Sequence, residues 1–211
     1  MSPSPTLHAQ SVDLVMIYIV AISVILLLGI TAVMIYFVFK YHRKHGHEPV
    51  DIEENHLLET IWIVIPTILV LSMFYFGYNS FRDSRVVPKD SFVVEVTARM
   101  WHFSFKYPNG KTTDTLYVPV DKPIKLVMES VDVNHAFFIP AFRIKEDIIH
   151  GKKTILPFTA QQVGDFDVAC AEYCGLNHSA MYTKVKVIPG KHFASWYENK
   201  TDVNNASVAG N

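Results

Sequence analysis

The chain is short of cysteine, of net charge and of internal repeats. Its only two thiols, Cys170 and Cys174, fall inside one stretch, CAEYCGLNHSAM, which ends at Met181. Lys and Arg number 19 against 20 Asp and Glu, a formal net charge of -1, so the basic excess that a nucleic-acid binder needs is absent. No Cys-x-x-Cys-His occurs, which excludes a fused covalent haem domain. Charge is missing altogether from Leu14 to Phe39, and Lys and Arg are missing from everything before that run.

That uncharged run, LVMIYIVAISVILLLGITAVMIYFVF, exceeds the roughly 20 apolar residues that cross a hydrocarbon core of about 30 Å. At the usual rise per residue it makes a helix of about 39 Å, which must tilt or project from the bilayer. It is too long for the apolar part of a cleavable signal peptide and lacks the basic residues that precede one. A second run, LLETIWIVIPTILVLSMFYFGY from Leu57 to Tyr78, carries Glu59 near its start and Pro66 inside, where a kink is expected. The polar segment between them, KYHRKHGHEPVDIEENH, is too short for a domain, and its histidines read as a solvated loop and not as a metal tract. The two runs form a transmembrane hairpin. Lys40, Arg43 and Lys44 in the loop are nearly balanced by Arg82, Arg85 and Lys89 beyond the second helix, and the tail free of Lys and Arg tips the loop to the cytoplasmic or matrix side.

After about residue 90 the hydrophobic period changes to two. FVVEVTARM sets Phe92, Val94, Val96, Ala98 and Met100 on one face, the mark of a half-buried strand. Similar runs follow in WHFSFKY, TLYVPV, IKLVMES, HAFFIP, KTILPFTA, GDFDVAC and TKVKVIP, broken by turn signals such as YPNG and VDKP. So many short strands predict an antiparallel sandwich or Greek-key barrel, closed by one short helix in KHFASWYENK. The expected organisation is an external tail over 1–13, the hairpin over 14–80 with helices at 14–39 and 57–78, the β-domain over 90–200, and a flexible tail over 201–211.

The cysteines therefore sit on a loop between two strands, and three chemistries compete for them. A disulfide is the default in an oxidising compartment, but it would fasten almost no chain and leaves His178 and Met181 without a reason. A structural zinc on Cys170, Cys174, His178 and a remote histidine has enough donors, yet zinc has little use for a thioether. Copper suits thiolate, imidazole and thioether together, and two thiolates are enough to bridge two copper ions.

At these residues the chain resembles the copper-binding subunit II of haem-copper cytochrome c oxidase. That family's ligand loop, Cys-x-Glu-x-Cys-x3-His-x2-Met, is matched by Cys170, Glu172, Cys174, His178 and Met181, and SVDVNHAFFIPAF supplies His135 as the upstream ligand. The likeness runs from the hairpin through ETIWIVIP to HFASWYENK. It implies a membrane α-hairpin followed by an all-β cupredoxin-like sandwich holding a binuclear CuA centre. Cys170 and Cys174 would bridge the coppers, His178 and the Glu172 carbonyl would complete one ion, and His135 and Met181 the other. The function implied is to accept electrons from cytochrome c or a related c-type cytochrome and pass them to haem and CuB in subunit I, where O2 is reduced to water with proton translocation. Partners would be subunit I, other oxidase subunits and membrane lipid. The copper domain would lie on the periplasmic or intermembrane side, of a bacterial plasma membrane in preference to a mitochondrial one.

The resemblance assigns other residues too. Trp101 matches the aromatic patch that admits electrons, although the family often shows a second tryptophan where this chain has Phe103 and a glutamine where it has Met100. Asp132 matches an acidic docking position, the Glu172 side chain a magnesium ligand shared with subunit I, and Glu59 the entrance of a proton channel. Among alternatives, a copper-free quinol oxidase subunit is opposed by the intact donors. A membrane-tethered copper chaperone is opposed by the second helix with Glu59. A CuA-bearing nitric oxide reductase subunit stays open on sequence.

Overall fold

The computed structural model describes residues 4–46, 48, 51 and 53–199, and the tail expected at 201–211 lies outside them. The described residues form two compact units, one over Val12–Ser80, the other joining residues 4–11 to 81–199.

Helix α1 spans Leu7–Lys40 and α2 spans His56–Ser84. Both are long and apolar enough to cross a membrane, and their side chains are exposed along the length, as lipid solvation requires. In the helical unit, the Tyr18 hydroxyl lies 2.7 Å from that of Ser72, and its ring meets Phe76 edge-on at 5.4 Å. Helix α2 continues through Pro66, although that residue has no N–H to offer the preceding turn. Helix α1 begins ahead of the uncharged run because the Thr6 hydroxyl accepts the Ala9 N–H at 3.0 Å, an N-cap that hydropathy does not reveal. Thr6 and Ala9 are both buried, and the Pro5 carbonyl accepts the Gln161 N–H at 2.8 Å, so this first turn is fastened to the β-domain.

The β-domain holds strands β1 (Phe92–Arg99), β2 (His102–Lys106), β3 (Thr112–Thr113), β4 (Leu116–Pro119), β5 (Pro123–Ser130), β6 (His135–Ile139), β7 (Ile144–Ile148), β8 (Thr154–Thr159), β9 (Gly164–Cys170) and β10 (Tyr182–Ile188), then helix α3 (Gly190–Glu198). Two five-stranded sheets, ordered β3-β2-β1-β5-β8 and β4-β10-β9-β6-β7, face one another. The pairing is mixed and not wholly antiparallel: β1 lies parallel to β5 and β4 parallel to β10. The chain leaves the first sheet as β4 and returns as β5, and such a crossover brings a strand back in the same direction. Alternation in β1 buries Val94, Val96 and Ala98 as the period predicts. Met100, expected on that face, lies past the strand end and is exposed.

Side chains from both inner faces fill the space between the sheets, with Phe103 meeting Phe137 edge-on at 5.4 Å. Helix α3 closes one side, stacking Trp196 on Tyr117 at 4.5 Å, while the Lys111 ammonium donates to the Trp196 and Asn199 carbonyls. Beneath it the Tyr107 hydroxyl donates to the Tyr117 carbonyl at 3.0 Å and accepts the Tyr117 N–H at 2.7 Å.

Burial pushes the Tyr107 phenol well above its ordinary value of 10.0, so the folded chain holds it neutral. The unfolded chain ionises first, and the stability tied to this group, complete below about pH 10, is lost as pH rises beyond it. Tyr107→Phe should cost about 1–3 kcal/mol near neutral pH, because it strands both backbone groups of Tyr117. It should also flatten the alkaline limb of stability, as urea unfolding of the two forms at pH 8 and above, followed by near-ultraviolet circular dichroism, will show.

Candidate metal centre

Strands β6, β9 and β10 bring the donors to one end of the sandwich. β9 pairs with β10 through Ala169 and Tyr182, and the Cys170 N–H donates to the Met181 carbonyl at 3.0 Å, so residues 171–180 leave and rejoin the sheet at one point. β6 pairs with β9 through Phe137 and Cys170, and the Ala171 N–H donates to the Ala136 carbonyl, which puts His135 beside Cys170. Inside the loop a turn over His178–Ala180 is held by the Ala180 N–H on the Asn177 carbonyl at 3.0 Å. Gly175 has φ +114, and a methyl there would only touch the Trp101 ring at 3.4 Å, so it is the backbone conformation that calls for glycine.

The sulfurs of Cys170 and Cys174 are 3.7 Å apart, well beyond a disulfide bond of about 2.05 Å, and both thiols are free. His135 Nδ1 lies 3.8 Å from Cys170 Sγ, and the Glu172 carbonyl 3.3 Å from it. His178 Nδ1 lies 3.5 Å from Cys174 Sγ, and Met181 Sδ 3.8 Å from it. All six donor positions singled out in the sequence thus share one cluster. His135, Cys170, Cys174 and Met181 are buried and His178 is half-buried. Burial pushes the Cys174 thiol up to about 12, helped by the Cys170 thiol and the charge of Asp132, so a thiolate here needs a cation beside it. Two thiols, two imidazoles, a thioether and a carbonyl, sheltered from water, fit copper.

Asp132 has a role that its docking assignment did not foresee. One oxygen accepts the Met100 N–H at 2.7 Å, and the other accepts the Val133 N–H at 2.7 Å and lies 2.8 Å from His135 Nε2. Burial by itself would raise its pKa, but the bonds from Met100, His135 and Val133 outweigh it and hold the carboxyl at about 2. The anion fixes the imidazole with its Nε2–H on the carboxylate and Nδ1 open towards Cys170, the usual support for a metal-binding histidine. The signal in the sequence was the three-residue spacing from Asp132 to His135.

Trp101 is half-buried, and its indole N–H donates to the Cys174 carbonyl at 3.2 Å. The Glu172 side chain is exposed although its carbonyl faces Cys170. Glu59 belongs to the helical unit, in the first turn of α2, where it suits the helix dipole and lies 3.5 Å from His56. The structure does not bring it into the donor cluster.

Asp132→Ala should weaken copper binding by about 10–100-fold while leaving the sandwich folded, since it frees the imidazole without removing a donor. Copper titration against a competing chelator, with far-ultraviolet circular dichroism as the folding control, measures both.

Residues 67–188 match the family described as the cytochrome c oxidase subunit II periplasmic domain, and residues 1–81 match its transmembrane domain. Cytochrome c oxidase subunit 2 of Cereibacter sphaeroides is 24% identical over 86% of this chain and 73% of its own. The alternative cytochrome c oxidase subunit 2 of Bradyrhizobium diazoefficiens is 31% identical over 79% and 72%. Among solved structures, the periplasmic domain of subunit II of cytochrome oxidase from Bradyrhizobium japonicum is 34% identical with a TM-score of 0.50, covering 54% of this chain and 95% of that one.

Proposed function

Because this chain belongs to the cytochrome c oxidase subunit II family, we propose that it carries two coppers in a CuA centre, receives electrons from a c-type cytochrome and passes them to haem in subunit I. The chain is a subunit of a haem-copper oxidase, an oxidoreductase complex, and a membrane protein. The observation that carries the proposal is the convergence of five soft and borderline donors and one carbonyl oxygen in one cluster.

Cys170 and Cys174 would bridge the pair, with His178 and the Glu172 carbonyl on one ion and His135 and Met181 on the other. Bound there, the copper pair supplies a one-electron carrier whose charge change is spread over two metals. The chain's own residues keep that change cheap. The β9–β10 pairing holds the loop's two ends in place, Asp132 holds the His135 ring, and burial keeps water from the sulfurs. Trp101 links the surface to Cys174 through its indole N–H, which supports its assignment as the point where electrons arrive.

Glu172 can serve two metals, its carbonyl directed at the cluster and its exposed carboxylate available to a magnesium ion shared with subunit I. Glu59 would admit protons to subunit I, and the reduction of O2 would take place there on haem and CuB. The β-domain would lie on the periplasmic side of a bacterial plasma membrane, in keeping with the description of the matched family.

The oxidase complex should contain two coppers per copy of this chain beyond those of subunit I, with an electron spin resonance signal split by two equivalent nuclei. It should consume O2 with reduced cytochrome c. Cys170→Ser should abolish that signal, and a single-nucleus pattern in the unaltered complex would sink the bridging assignment. Glu59→Gln should leave the copper signal intact and slow reduction of the oxygen-site haem, because the amide cannot exchange a proton near neutral pH. Stopped-flow spectra at several pH values decide it, and an unchanged rate would leave Glu59 as an interfacial anchor only.

A further inference from the structure

In the unit that carries the β-domain, the first turn of α1, the last turn of α2, the segment after it, β7 and β8 enclose a cleft of about 350 Å³ that holds none of the metal donors. That volume is within the usual range for small-molecule pockets. Leu7, Val86, Pro88, Ile144, Pro157 and Phe158 give it apolar walls. Several of its polar side chains are committed elsewhere: the Ser84 hydroxyl donates to the Phe81 carbonyl at 2.6 Å, that of Thr6 accepts the Ala9 N–H, and Asp83 faces Arg82 at 3.4 Å. A cleft lined in this way favours hydrocarbon over a polar solute. Ile144 and Phe158 are buried at its back, whereas Leu7 is 64% exposed and Val86 62%, so the apolar rim gains by being covered.

The depth of the cleft follows from the helices that wall it. Along α1 the rise from Leu7 to Leu14, where the uncharged run begins, is about 10 Å, and along α2 the rise from Tyr78, where the second run ends, to Asp83 is about 8 Å. The headgroup layer outside the hydrocarbon core is about 5–8 Å deep, and tilt shortens both rises. The cleft is therefore at the level of lipid headgroups and esters. Cations are at hand there: Arg85 stands between the lining residues Ser84 and Val86, and the exposed Lys89 follows Pro88. Arg85 is paired with Glu146, which leaves other donors of its five for an anion.

We propose that this cleft seats one phospholipid of the adjoining leaflet. The ester end of an acyl chain lies against Leu7, Val86 and Phe158, and the phosphate turns to Arg85 and Lys89, the guanidinium fork suiting its oxygens. The occupant is a phospholipid and not a soluble apolar ligand because both helices that wall the cleft run on into membrane-crossing segments, where lipid is the neighbour at highest concentration. Gln161, whose N–H bonds the Pro5 carbonyl, lines the same cleft, so the bound lipid also braces the fastening of the first turn of α1. The proposal rests on the membrane helices and is independent of copper and of the electron donor.

The test uses the purified oxidase complex, stripped of lipid in detergent and returned to phosphatidylcholine vesicles that contain a phosphatidylcholine with a diazirine near the ester end of one chain. After illumination, labelled peptides are mapped by mass spectrometry. Label should concentrate on peptides carrying residues 82–88 and 157–161. Val86→Glu and Leu7→Glu, on separate segments and at exposed positions that the fold does not need filled, should each cut that labelling about tenfold, because a carboxylate on the rim opposes an acyl chain. Label on residues 20–30 of α1, whose side chains are mostly exposed, should stay constant and serves as the internal standard. Val86→Leu, which keeps the rim apolar, should label like the unaltered complex. Equal labelling of the cleft in both Glu variants leaves only bulk lipid around the helices and overturns the site. Absence of label from the cleft peptides in the unaltered complex, the result if another subunit covers them, overturns it as well. A diacylglycerol bearing the same diazirine should label the cleft more weakly, and equal labelling by it overturns the phosphate seat on Arg85 and Lys89.

Discussion

The hydrogen bond from the Cys170 N–H to the Met181 carbonyl closes the neck of the metal loop, and the arrangement of the donors follows from it. Alone it is worth about 1 kcal/mol, but it extends the β9–β10 ladder and inherits the rigidity of that pairing. With the ladder in register, Cys170 faces inward at the end of β9 and Met181 is buried as β10 begins. A slip of one residue would turn Cys170 away from the site, because side chains alternate faces along a strand. The residues between those ends need only a short turn and one glycine to bring Cys174 and His178 back beside the neck.

A second constraint is electrostatic. Burial penalises a lone thiolate, and among the described residues neither thiol of the cluster has a Lys or Arg in its hydrogen-bond contacts. Metal charge is therefore what makes the deprotonated site tolerable. Asp132 contributes in the opposite sense. It is an anion stabilised by two backbone N–H groups, and it joins the β1–β2 turn to the His135 ring. The turn that presents Trp101 and the strand that presents His135 are thus held by one carboxylate, which ties the geometry of electron arrival to that of a donor.

Much of this was legible in the chain. Missing charge marked both membrane helices, period-two alternation marked most strands, and the spacing within CAEYCGLNHSAM marked the loop donors, while His135 came from the family resemblance. What stayed hidden depended on contacts between distant residues. Strand β7, IKEDI, carries three charges and shows no strong apolar pattern, yet its ends are buried and Glu146 is paired with Arg85. The parallel pairs come from crossovers between sheets, which no local pattern encodes. Asp132 read as a surface acid because its partners, the Met100 and Val133 N–H groups, the His135 ring and the Ser130 hydroxyl, cannot be seen in a string of side chains. The early start of α1 was hidden for a related reason, since hydropathy does not register a capping hydroxyl.

The fastening of that first turn bears on how the protein is made. Pro5 is synthesised before Gln161, which is added only after both membrane helices and most of the sandwich. The contact is of very high sequence separation, and contacts of that kind slow folding because a long loop must close before they form. The stretch from Pro5 to Ala9 thus clasps a part of the chain that is made much later. Its protection from proteolysis would report completion of the domain independently of metal loading.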